Sequence, residues 1–467
     1  MKNNIKRTIS TILLAAMLTT GLTACGTGET TTTDTVSANP SDSTQTTADS
    51  AEEAAETEPE PDYSDFVFPE ETDTLVVYSS GMLTQTLNPA IKIFEEMYPH
   101  INVDYRVLGE DEHQTLIQTE IPAGAGPDLM FSYGVDLPDI YKTMATGVFC
   151  DLNPYFHNDE EFSFDDYITG ALTGGQMQKK QYIMPIQFNM PIVMTTLGIL
   201  EENGIAPESL DTYEGFLDAA ATFKQNNPDS GLLSYGAEEA YLIDLYELCG
   251  LNFIDYVANT ITMDKDVLGK FADVCKRYYN PKATDPISGD TKNSLAERKY
   301  MFELFNVTDS FSQVYKSAVV SHFLEDPAYL TLVPDPYGGS TAYLMTFAAI
   351  PNGSQNKLNA YRLLKILLSD EIQYGSKAII GMPVRQESFR KNYTASIEDV
   401  VSYGFAVSEE DYNPLIEKCF NVTRTFASPS IMRRYLKLEL TPYLQGKRSF
   451  DDCFDNLYTT IELYKDE

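Results

Sequence analysis

The stretch QYIMPIQFNMPIVM, residues 181–194, decides how this chain is organised. It is an extended apolar run that contains Pro185 and Pro191. A proline inside a helix removes a backbone hydrogen bond and clashes with the preceding turn, so a regular helix is excluded. The run therefore predicts a strand that crosses from one domain to another.

Towards the amino terminus, the pattern alternates between strand and helix. Residues 74–78 form a short apolar run that ends in a turn, residues 88–98 offer one apolar helix face, and residues 101–107 form a second strand. This order predicts a parallel sheet with a right-handed crossover. A further buried strand follows the turn at residues 126–128, and ligands of open α/β sheets gather at the carboxyl ends of such strands.

Towards the carboxyl terminus, helices again alternate with strands. The chain after residue 73 is longer than one hydrophobic core usually organises, so two domains are expected. The segments predicted here are an amphipathic helix at 212–224, a strand and loop at 332–339, a strand at 343–350, and helices at 357–368 and 449–464. Tyr343 and Phe347 lie in the apolar strand and are expected in the core.

The first 25 residues are typical of an export signal. Lys2, Lys6 and Arg7 precede a mostly apolar run at residues 11–22, and small residues then lead to Cys25. A cysteine in this place resembles the lipid-attachment motif of bacterial lipoproteins, in which cleavage precedes an acylated cysteine. An ordinary secretory signal or a short transmembrane helix is the alternative, although the apolar run is short for a membrane span.

Residues 26–73 contain 14 acidic residues and no Lys or Arg. Such a segment buries too little apolar surface to offset its ordering entropy, so it predicts a disordered stalk. A binding role of the acidic run towards cations or a basic partner is the alternative.

Charge and cysteine content exclude several classes of function. The net charge of −36 argues against nucleic acid and anionic membrane surfaces as partners. The cysteines beyond Cys25 are odd in number and lack short paired spacings, so buried thiols are expected rather than a disulfide framework or a metal site. The four histidines also lack a metal-binding spacing, and no cofactor is predicted.

Taken together, the chain resembles the extracellular solute-binding proteins of ABC importers, in particular the sugar-type family 1 proteins. The segments that carry the resemblance are, in chain order, Tyr78-Ser79-Ser80-Gly81, Gly126-Pro127-Asp128, residues 182–194, residues 334–339, residues 343–354, Leu367-Leu368-Ser369, Gly381-Met382-Pro383 and Tyr443-Leu444-Gln445-Gly446. The resemblance implies an α/β, two-lobe fold of the type II periplasmic-binding-protein kind, with a hinge that the chain crosses more than once. The implied boundaries are 1–24 for the signal peptide, 25–73 for the lipidated Cys25 and the stalk, 74–187 plus 340–380 for the first lobe, and 188–335 plus 384–467 for the second.

The resemblance also implies a function. Ligand would bind in the cleft between the lobes and close them, and the permease subunits of an importer would recognise the closed form. The protein would be a monomer, lipid-anchored at the extracytoplasmic face of a bacterial cell membrane. Its ligand would be a sugar or oligosaccharide.

Sugar recognition needs flat apolar faces against C–H surfaces and planar polar groups for hydroxyls. The chain contains no Trp, so Tyr and Phe must supply the faces. The segments that match the family give these candidate ligand-binding residues: Ser80, Met82, Ser132, Tyr133, Asp136, Gln187, Asn189, Asp309, Phe311, Arg424 and Phe426.

Other functions stay open at this point. An amino acid, a peptide, a polyamine or a small organic anion is the alternative ligand, and a surface adhesion role is the alternative to transport. A tethered hydrolase is disfavoured, because adjacent acidic pairs are common on charged surfaces and the sequence has neither a GxSxG elbow nor a zinc-protease helix.

Overall fold

The structure is a computed structural model that describes residues 61–234, 240–280, 291–305, 309–375 and 381–467. Pro61–Glu467 is one compact unit. The export signal, Cys25 and the stalk as far as residue 60 lie outside the described residues. None of the described helices is both long and apolar enough to cross a membrane.

The described residues form strands and helices that alternate along the chain. The strands are β1 (Thr74–Ser80), β2 (Asn102–Leu108), β3 (Leu129–Tyr133), β4 (Gln176–Met177), β5 (Lys180–Gln181), β6 (Met184–Asn189), β7 (Ile192–Thr196), β8 (Gly231–Leu233), β9 (Ile254–Asp255), β10 (Thr260–Ile261), β11 (Tyr300–Leu304), β12 (Ala328–Leu332), β13 (Ser340–Ala349), β14 (Met382–Pro383) and β15 (Val422–Phe426). The helices are α1 (Thr84–Met97), α2 (Glu110–Glu120), α3 (Ile140–Ala145), α4 (Asn153–His157), α5 (Thr169–Leu172), α6 (Leu197–Glu202), α7 (Tyr213–Asn226), α8 (Ala240–Cys249), α9 (Lys265–Tyr278), α10 (Thr291–Ala296), α11 (Ser310–Leu324), α12 (Lys357–Leu367), α13 (Asp370–Gly375), α14 (Gln386–Ser402), α15 (Asn413–Phe420), α16 (Ser430–Leu444) and α17 (Phe450–Asp466).

The first lobe is built on a sheet with the strand order β14-β6-β13-β3-β1-β2, to which β15 adds beside β13. β1 pairs in parallel with both β2 and β3. The predicted parallel β-α-β start of the domain is therefore confirmed. β13 runs antiparallel to β3 and β6. The strands β1, β3 and β6 therefore run in the same direction, and their carboxyl ends lie on the same side of this sheet.

The second lobe is built on a sheet with the order β12-β7-β11-β8. β6 belongs to the first sheet and β7 to the second, and only Met190 and Pro191 separate them. The run at residues 181–194 therefore joins the two sheets in an extended conformation. The break falls at Pro191, since proline cannot donate a ladder hydrogen bond.

Helix α7 illustrates how local sequence sets the core. The Thr212 hydroxyl accepts a hydrogen bond from the Gly215 N–H at 3.2 Å and caps the helix. Phe216, Leu217, Ala220 and Phe223 are buried along one face, as the sequence pattern predicted. Full burial of each Phe contributes roughly 1.5–3 kcal/mol.

The compact unit begins before the predicted boundary at residues 73/74. Phe66 and Phe68 pack against Tyr155, with ring centroids 4.8 and 5.9 Å away. The Asn359 side chain donates to the Thr72 carbonyl at 3.0 Å. The prediction of a disordered stalk is therefore corrected for residues 61–73, because two aromatic side chains in this acidic segment find an apolar surface.

The last strand also differs from the predicted division. The predicted second lobe, 188–335 plus 384–467, includes β15, yet β15 pairs with β13 in the first sheet. Gly170 permits this approach, because a Cβ at that position would lie 1.7 Å from the Val422 carbonyl oxygen. The chain therefore crosses between lobes again at each end of β15.

Candidate ligand-binding site

The carboxyl ends of β3 and β6 bring two of the predicted residues into one row of the first sheet. Thr346 of β13 lies opposite Tyr133 on one side and opposite Gln187 on the other. The Thr346 hydroxyl donates to Gln187 Oε1 at 3.2 Å. Side chains in one row point to the same face of a sheet. Tyr133 and Gln187 therefore share a face.

Beside this row lies a buried polar cluster, which we call the strand-end cluster: Ser80, His113, Ser132, Tyr133 and Asp136. His113 Nε2 lies 2.9 Å from Ser132 Oγ and 3.7 Å from Asp136 Oδ2. The Asp136 carboxylate accepts the Tyr133 N–H at 2.9 Å, which fixes the turn after β3. Three predicted ligand contacts, Ser132, Tyr133 and Asp136, are brought together here, and the fourth, Ser80, ends the neighbouring strand β1.

Burial governs the protonation of this cluster. It lowers the pKa of His113 to about 4, so the imidazole is neutral at pH 7. It raises the pKa of Asp136 to about 6, against the hydrogen bonds from the Tyr133 N–H and Gln114. It also raises the pKa of the Tyr133 hydroxyl to about 12, with further contributions from Glu110 and Asp136. At neutral pH the cluster is a carboxylate beside neutral donors and acceptors.

Three polar atoms of the strand-end cluster have no hydrogen-bond partner among the described residues. They are Ser80 Oγ, His113 Nδ1 and Tyr133 Oη, and all three atoms are buried. A buried polar atom without a partner is costly, so such atoms mark places where a ligand or a water is bound. The cluster therefore has hydrogen-bonding capacity for a molecule at the strand ends.

The cluster has the residue types of a hydrolase triad but not its geometry. A triad needs the carboxylate on Nδ1 of the histidine and the serine on Nε2. Here both Ser132 and Asp136 approach Nε2 of His113. Ser132 is also fully buried. The arrangement suits hydrogen bonding and not nucleophilic attack.

At the hinge, the first lobe meets α8 of the second lobe. Asn189 ends β6, lies opposite Tyr343 in the ladder and hydrogen-bonds to the Tyr343 hydroxyl. Burial raises the pKa of that hydroxyl, and the charges of Glu247 and Asp244 raise it further. The charges of both α8 carboxylates therefore act on Tyr343, which lies beside the carboxyl end of β6.

On the second-lobe side of this contact, the Glu247 carboxylate has two polar partners. Its Oε1 accepts Arg433 Nε at 2.9 Å and the Ser428 hydroxyl at 3.3 Å. Burial raises the pKa of Glu247, and Arg433 opposes that rise. Asp244 lies one helical turn earlier and is buried. We call Asn189, Asp244, Glu247, Tyr343 and Arg433 the interlobe site.

Two further predicted residues lie at the start of α11. Asp309 caps this helix, and its carboxylate accepts the Ser312 N–H at 2.7 Å. Phe311 is half-exposed and stacks on Tyr315, with ring centroids 5.7 Å apart. These residues follow β11, whose carboxyl end faces the crossing at Pro191.

The remaining predicted residues are Met82, Arg424 and Phe426, and Phe426 lies opposite Tyr343 in the ladder between β15 and β13. Met82 is 62% exposed in the turn after β1. Arg424 forms an ion pair with Asp335 at 2.6 Å and donates to the Gly250 carbonyl at 3.0 Å. Phe426 is buried and packs edge-on against Tyr246 at 5.6 Å. Arg424 thus has a structural partner at the hinge, and Phe426 packs in the core, while their predicted ligand contacts stay predictions.

Sequence reasoning missed His113, Asp244, Glu247 and Arg433, and it placed Tyr343 in the core. One signal was available. Asp244 and Glu247 are the only charged residues of α8, AYLIDLYELC, and they lie three residues apart on one helix face. Two carboxylates in an apolar helix indicate a buried polar site. His113 and Arg433 carry no comparable pattern.

Metal binding finds no support in the described part of the chain. No group of three or more His, Cys, Asp or Glu side chains there is arranged to hold a metal ion. The five cysteines of this part, Cys150, Cys249, Cys275, Cys419 and Cys453, are free and buried. The expectation of buried thiols is confirmed.

Residues 89–398 match the family model of bacterial extracellular solute-binding proteins. The chain belongs to this family. The match spans the crossing at Pro191, most of both sheets and α8. The family supplies binding components of transporters, so the chain is a binding protein by descent.

Solved structures share the fold of this solute-binding protein. The sugar-binding protein MalE of Xanthomonas citri is 16% identical, with a TM-score of 0.63, over 84% of this chain and 97% of that one. The GacH receptor of Streptomyces glaucescens, solved with and without acarbose, is 15% identical, with a TM-score of 0.53, over 85% and 100%. The cyclic α-maltosyl-1,6-maltose binding protein of Arthrobacter globiformis is 17% identical, with a TM-score of 0.56, over 85% and 99%. A comparison with curated protein sequences finds no match. The two-lobe α/β prediction is confirmed.

Proposed function

We propose that this solute-binding protein captures an extracellular carbohydrate between its lobes and delivers it to the permease of an ABC importer. The observation that carries the proposal is the interlobe site, in which β13 of the first lobe, with Tyr343 beside Asn189, packs against α8 of the second, which carries Asp244 and Glu247. The sugar-binding proteins that share the fold support the ligand class.

The chemistry of the two clusters suits a sugar. Carboxylates accept hydrogen bonds from sugar hydroxyls, and charge-assisted hydrogen bonds of this kind are about twice as strong as neutral ones. Asp244, Glu247 and Asn189 supply acceptors, and Arg433 supplies donors. The ring of Tyr343, which is half-buried, supplies an apolar face.

Five of the residues predicted from sequence would form the first-lobe side of the binding site. Ser80, Ser132, Tyr133, Asp136 and Gln187 lie at the carboxyl ends of β1, β3 and β6. The unpartnered Ser80 and Tyr133 hydroxyls would bond to sugar hydroxyls directly or through water. Met82, Asp309 and Phe311 would line the rim of the cleft.

Ligand binding would close the lobes about the hinge. Contacts made by both lobes at once exist only when the lobes are together, so a ligand favours the closed form by its differential affinity. The chain crosses between the lobes near Pro191, along residues 333–339, near Val384 and on each side of β15. Short crossings of this kind absorb a hinge motion.

We further propose that Cys25 carries the lipid anchor and holds a monomer at the extracytoplasmic face of the cell membrane. Two acyl chains anchor a protein stably, whereas one does not. Metabolic labelling with a palmitate analogue tests this directly. Label on the wild-type protein and its loss in Cys25→Ser support the anchor, and equal labelling of both excludes acylation of Cys25.

A cationic ligand, such as a polyamine or a basic peptide, is the second candidate. Asp136, Asp244 and Glu247 place three carboxylates at or near the site, where Arg433 is paired with Glu247. An excess of carboxylates attracts cations.

Thermal unfolding against a ligand panel separates the candidates. The panel contains neutral mono- and oligosaccharides, amino acids, short peptides and polyamines. A ligand at 100 times its dissociation constant stabilises the protein by about 2.7 kcal/mol. Among these ligands, only sugars should raise Tm. Glu247→Gln should reduce this rise in Tm. Asp451→Asn, on the exposed side of α17, should leave the rise in Tm unchanged. A rise with polyamines alone would replace the sugar by the second candidate.

A further inference from the structure

A cavity of about 650 Å³ lies in the first lobe, between the end of α1, helix α12, the loop at residues 158–161 and Phe68. In a parallel β-α-β unit the helix ends beside the amino end of the next strand, so the end of α1 lies away from the carboxyl ends of β1 and β3. All the described residues that line the cavity belong to the first lobe as predicted or to the segment at 61–73. The cavity is therefore separate from the strand-end cluster and the interlobe site.

The wall of the cavity is rich in aromatic and apolar groups. Phe68 and Tyr361 contribute rings whose centroids are 6.1 Å apart. Tyr98 contributes a third ring, and Met97 at the end of α1 is 57% exposed. The Arg362 guanidinium lies 4.5 Å from the centroid of the Tyr98 ring. The faces of aromatic rings attract cations, and the protein's own cation already uses one of these rings.

Both cations of the wall are paired with carboxylates of the protein. Arg362 forms an ion pair with Glu71. Lys365 donates to Asp159 at 2.8 Å and to Glu161 at 2.9 Å. An anionic ligand would therefore have to displace one of these carboxylates.

Two further carboxylates of the wall have no cationic partner among the described residues. Glu160 lies in the loop at residues 158–161, and Glu371 lies in the first turn of α13. Both side chains are exposed. The wall thus combines aromatic rings with an excess of negative charge. A molecule with a positive charge and an apolar body complements both features.

The stalk does not complement this cavity, although it joins the body beside it. Asn158, which lines the cavity, donates from its side chain to the Tyr63 carbonyl at 3.0 Å. Residues 51–60, which directly precede the described part of the chain, contain five Glu and no aromatic residue. They have the same charge as Glu160 and Glu371 and no large apolar side chain for the wall. The cavity therefore suits a molecule that is not part of this chain.

We propose that this cavity binds a small organic cation with an apolar body. The volume lies within the range of small-molecule sites, roughly 300–1,000 Å³. The rings of Phe68, Tyr98 and Tyr361 would contact the cationic head and the apolar body, and Glu160 and Glu371 would balance the charge. This proposal does not depend on the ligand of the interlobe site.

Calorimetric titration of the protein with small probes tests the proposal. Benzyltrimethylammonium is the cation with an apolar body. Benzyl alcohol and benzoate are neutral and anionic counterparts, and tetramethylammonium lacks the apolar body. We expect saturable binding of benzyltrimethylammonium, and affinities about tenfold lower for the other three. The absence of saturable binding overturns the proposal, and a counterpart that binds as tightly overturns the proposed ligand class.

A pair of double variants tests the role of the unpartnered carboxylates. Glu160→Gln with Glu371→Gln removes two exposed charges from the wall, so the fold is retained. We expect the affinity for benzyltrimethylammonium to fall about three- to tenfold. Glu410→Gln with Glu462→Gln makes the same change in net charge at exposed positions of the second lobe and should leave the affinity unchanged. Equal affinities of the two double variants would show that the probe binds elsewhere and would overturn the site.

A second pair of variants tests the apolar contact. Met97→Ala removes an exposed side chain from the wall, and Ala is a good helix former, so α1 is retained. We expect it to lower the affinity for benzyltrimethylammonium about threefold. Leu438→Ala, at a position of α16 that is 62% exposed, should leave the affinity unchanged. An equal effect of the two variants overturns the proposed contact.

Asp244→Asn controls for binding of the cationic probe at the interlobe site. An affinity for benzyltrimethylammonium that is unchanged in this variant supports the separate cavity. Loss of binding in this variant places the probe at the interlobe site and overturns the proposal. Failure of the proposed function is distinct, because it appears as no thermal stabilisation by sugars.

Discussion

The hinge and the strand ends of the first lobe both contain buried polar groups, but they use them differently. At the hinge, Asp335 accepts the Tyr337 N–H through one oxygen and Arg424 and Thr341 through the other. At the strand ends, Ser80, His113 and Tyr133 each retain a buried atom without a partner in the described structure. A matched group fixes one conformation, whereas an unmatched group gains from a ligand. We therefore expect the hydrogen-bonded group around Asp335, the hinge cluster, to be structural and the strand-end cluster to bind ligand.

Removal of Arg424 should break the hinge cluster with the largest effect on stability. Arg424→Ala leaves the Asp335 carboxylate, whose side chain is 1% exposed, without its cation. Breaking a buried ion pair costs about 3–5 kcal/mol, and because Arg424 is partly exposed we expect about 2–4 kcal/mol. Urea unfolding measures this loss.

A surface ion pair provides the control for this prediction. Arg277 pairs with Asp273 at 2.8 Å, and both side chains are about half exposed. Arg277→Ala should cost at most about 0.5 kcal/mol. Equal losses for the two variants would show that the hinge ion pair is not a structural element.

The pH dependence of stability should reveal Asp136 at the strand ends. Its pKa is raised from 3.8 to about 6, so the folded protein binds this proton more tightly than the unfolded chain does. The stabilisation is present below about pH 4 and is lost as the pH rises through 6. The difference in unfolding free energy between the wild type and Asp136→Asn should therefore fall by about 1–3 kcal/mol across this interval.

His113 contributes to the pH dependence of stability in the opposite sense. For this reason we compare the unfolding free energies of the wild type and Asp136→Asn. Its pKa is lowered from 6.5 to about 4, so its contribution is present above pH 6.5 and is lost as the pH falls through 4. Both proteins retain His113 in the same buried position, so the effect of its burial is common to both. A difference that stays flat or rises with pH would contradict the assignment of Asp136 as a destabilised carboxylate.

The smallest predicted effect on stability distinguishes two neighbouring serines. Ser80→Ala removes an unpartnered hydroxyl and should change stability by less than about 0.5 kcal/mol, or raise it slightly. Ser132→Ala removes the partner of His113 at 2.9 Å and should cost about 1 kcal/mol. Thermal unfolding of both variants checks this order, and the reverse order would show that Ser80 is already satisfied.

The sequence predicted the framework because its signals are local. Two prolines marked the crossing at residues 181–194, and Thr212 marked the start of α7. The signals failed where tertiary contacts decide. Phe66 and Phe68 lie in an acidic segment, yet they pack onto the first lobe. β15 joins the first sheet because Gly170 leaves space for it.

The candidate site was predictable in part for the same reason. Tyr133, Gln187 and Asn189 end predicted strands, and strand ends are where α/β proteins bind ligands. Asp244 and Glu247 come from a different lobe, and only the fold places α8 against β13. Arg424 shows the converse, since its charge suggested a ligand contact and the fold supplies Asp335 as its partner.

The central claim is that one ligand is held by both lobes at the interlobe site. Calorimetric titration of the sugar that stabilises the protein most, into the wild type, Asn189→Ala and Asp244→Asn, tests it most directly. Each variant removes a contact from one lobe, so each should lower the affinity at least about tenfold. Unchanged affinity in both variants, or a loss confined to one lobe, would contradict the claim.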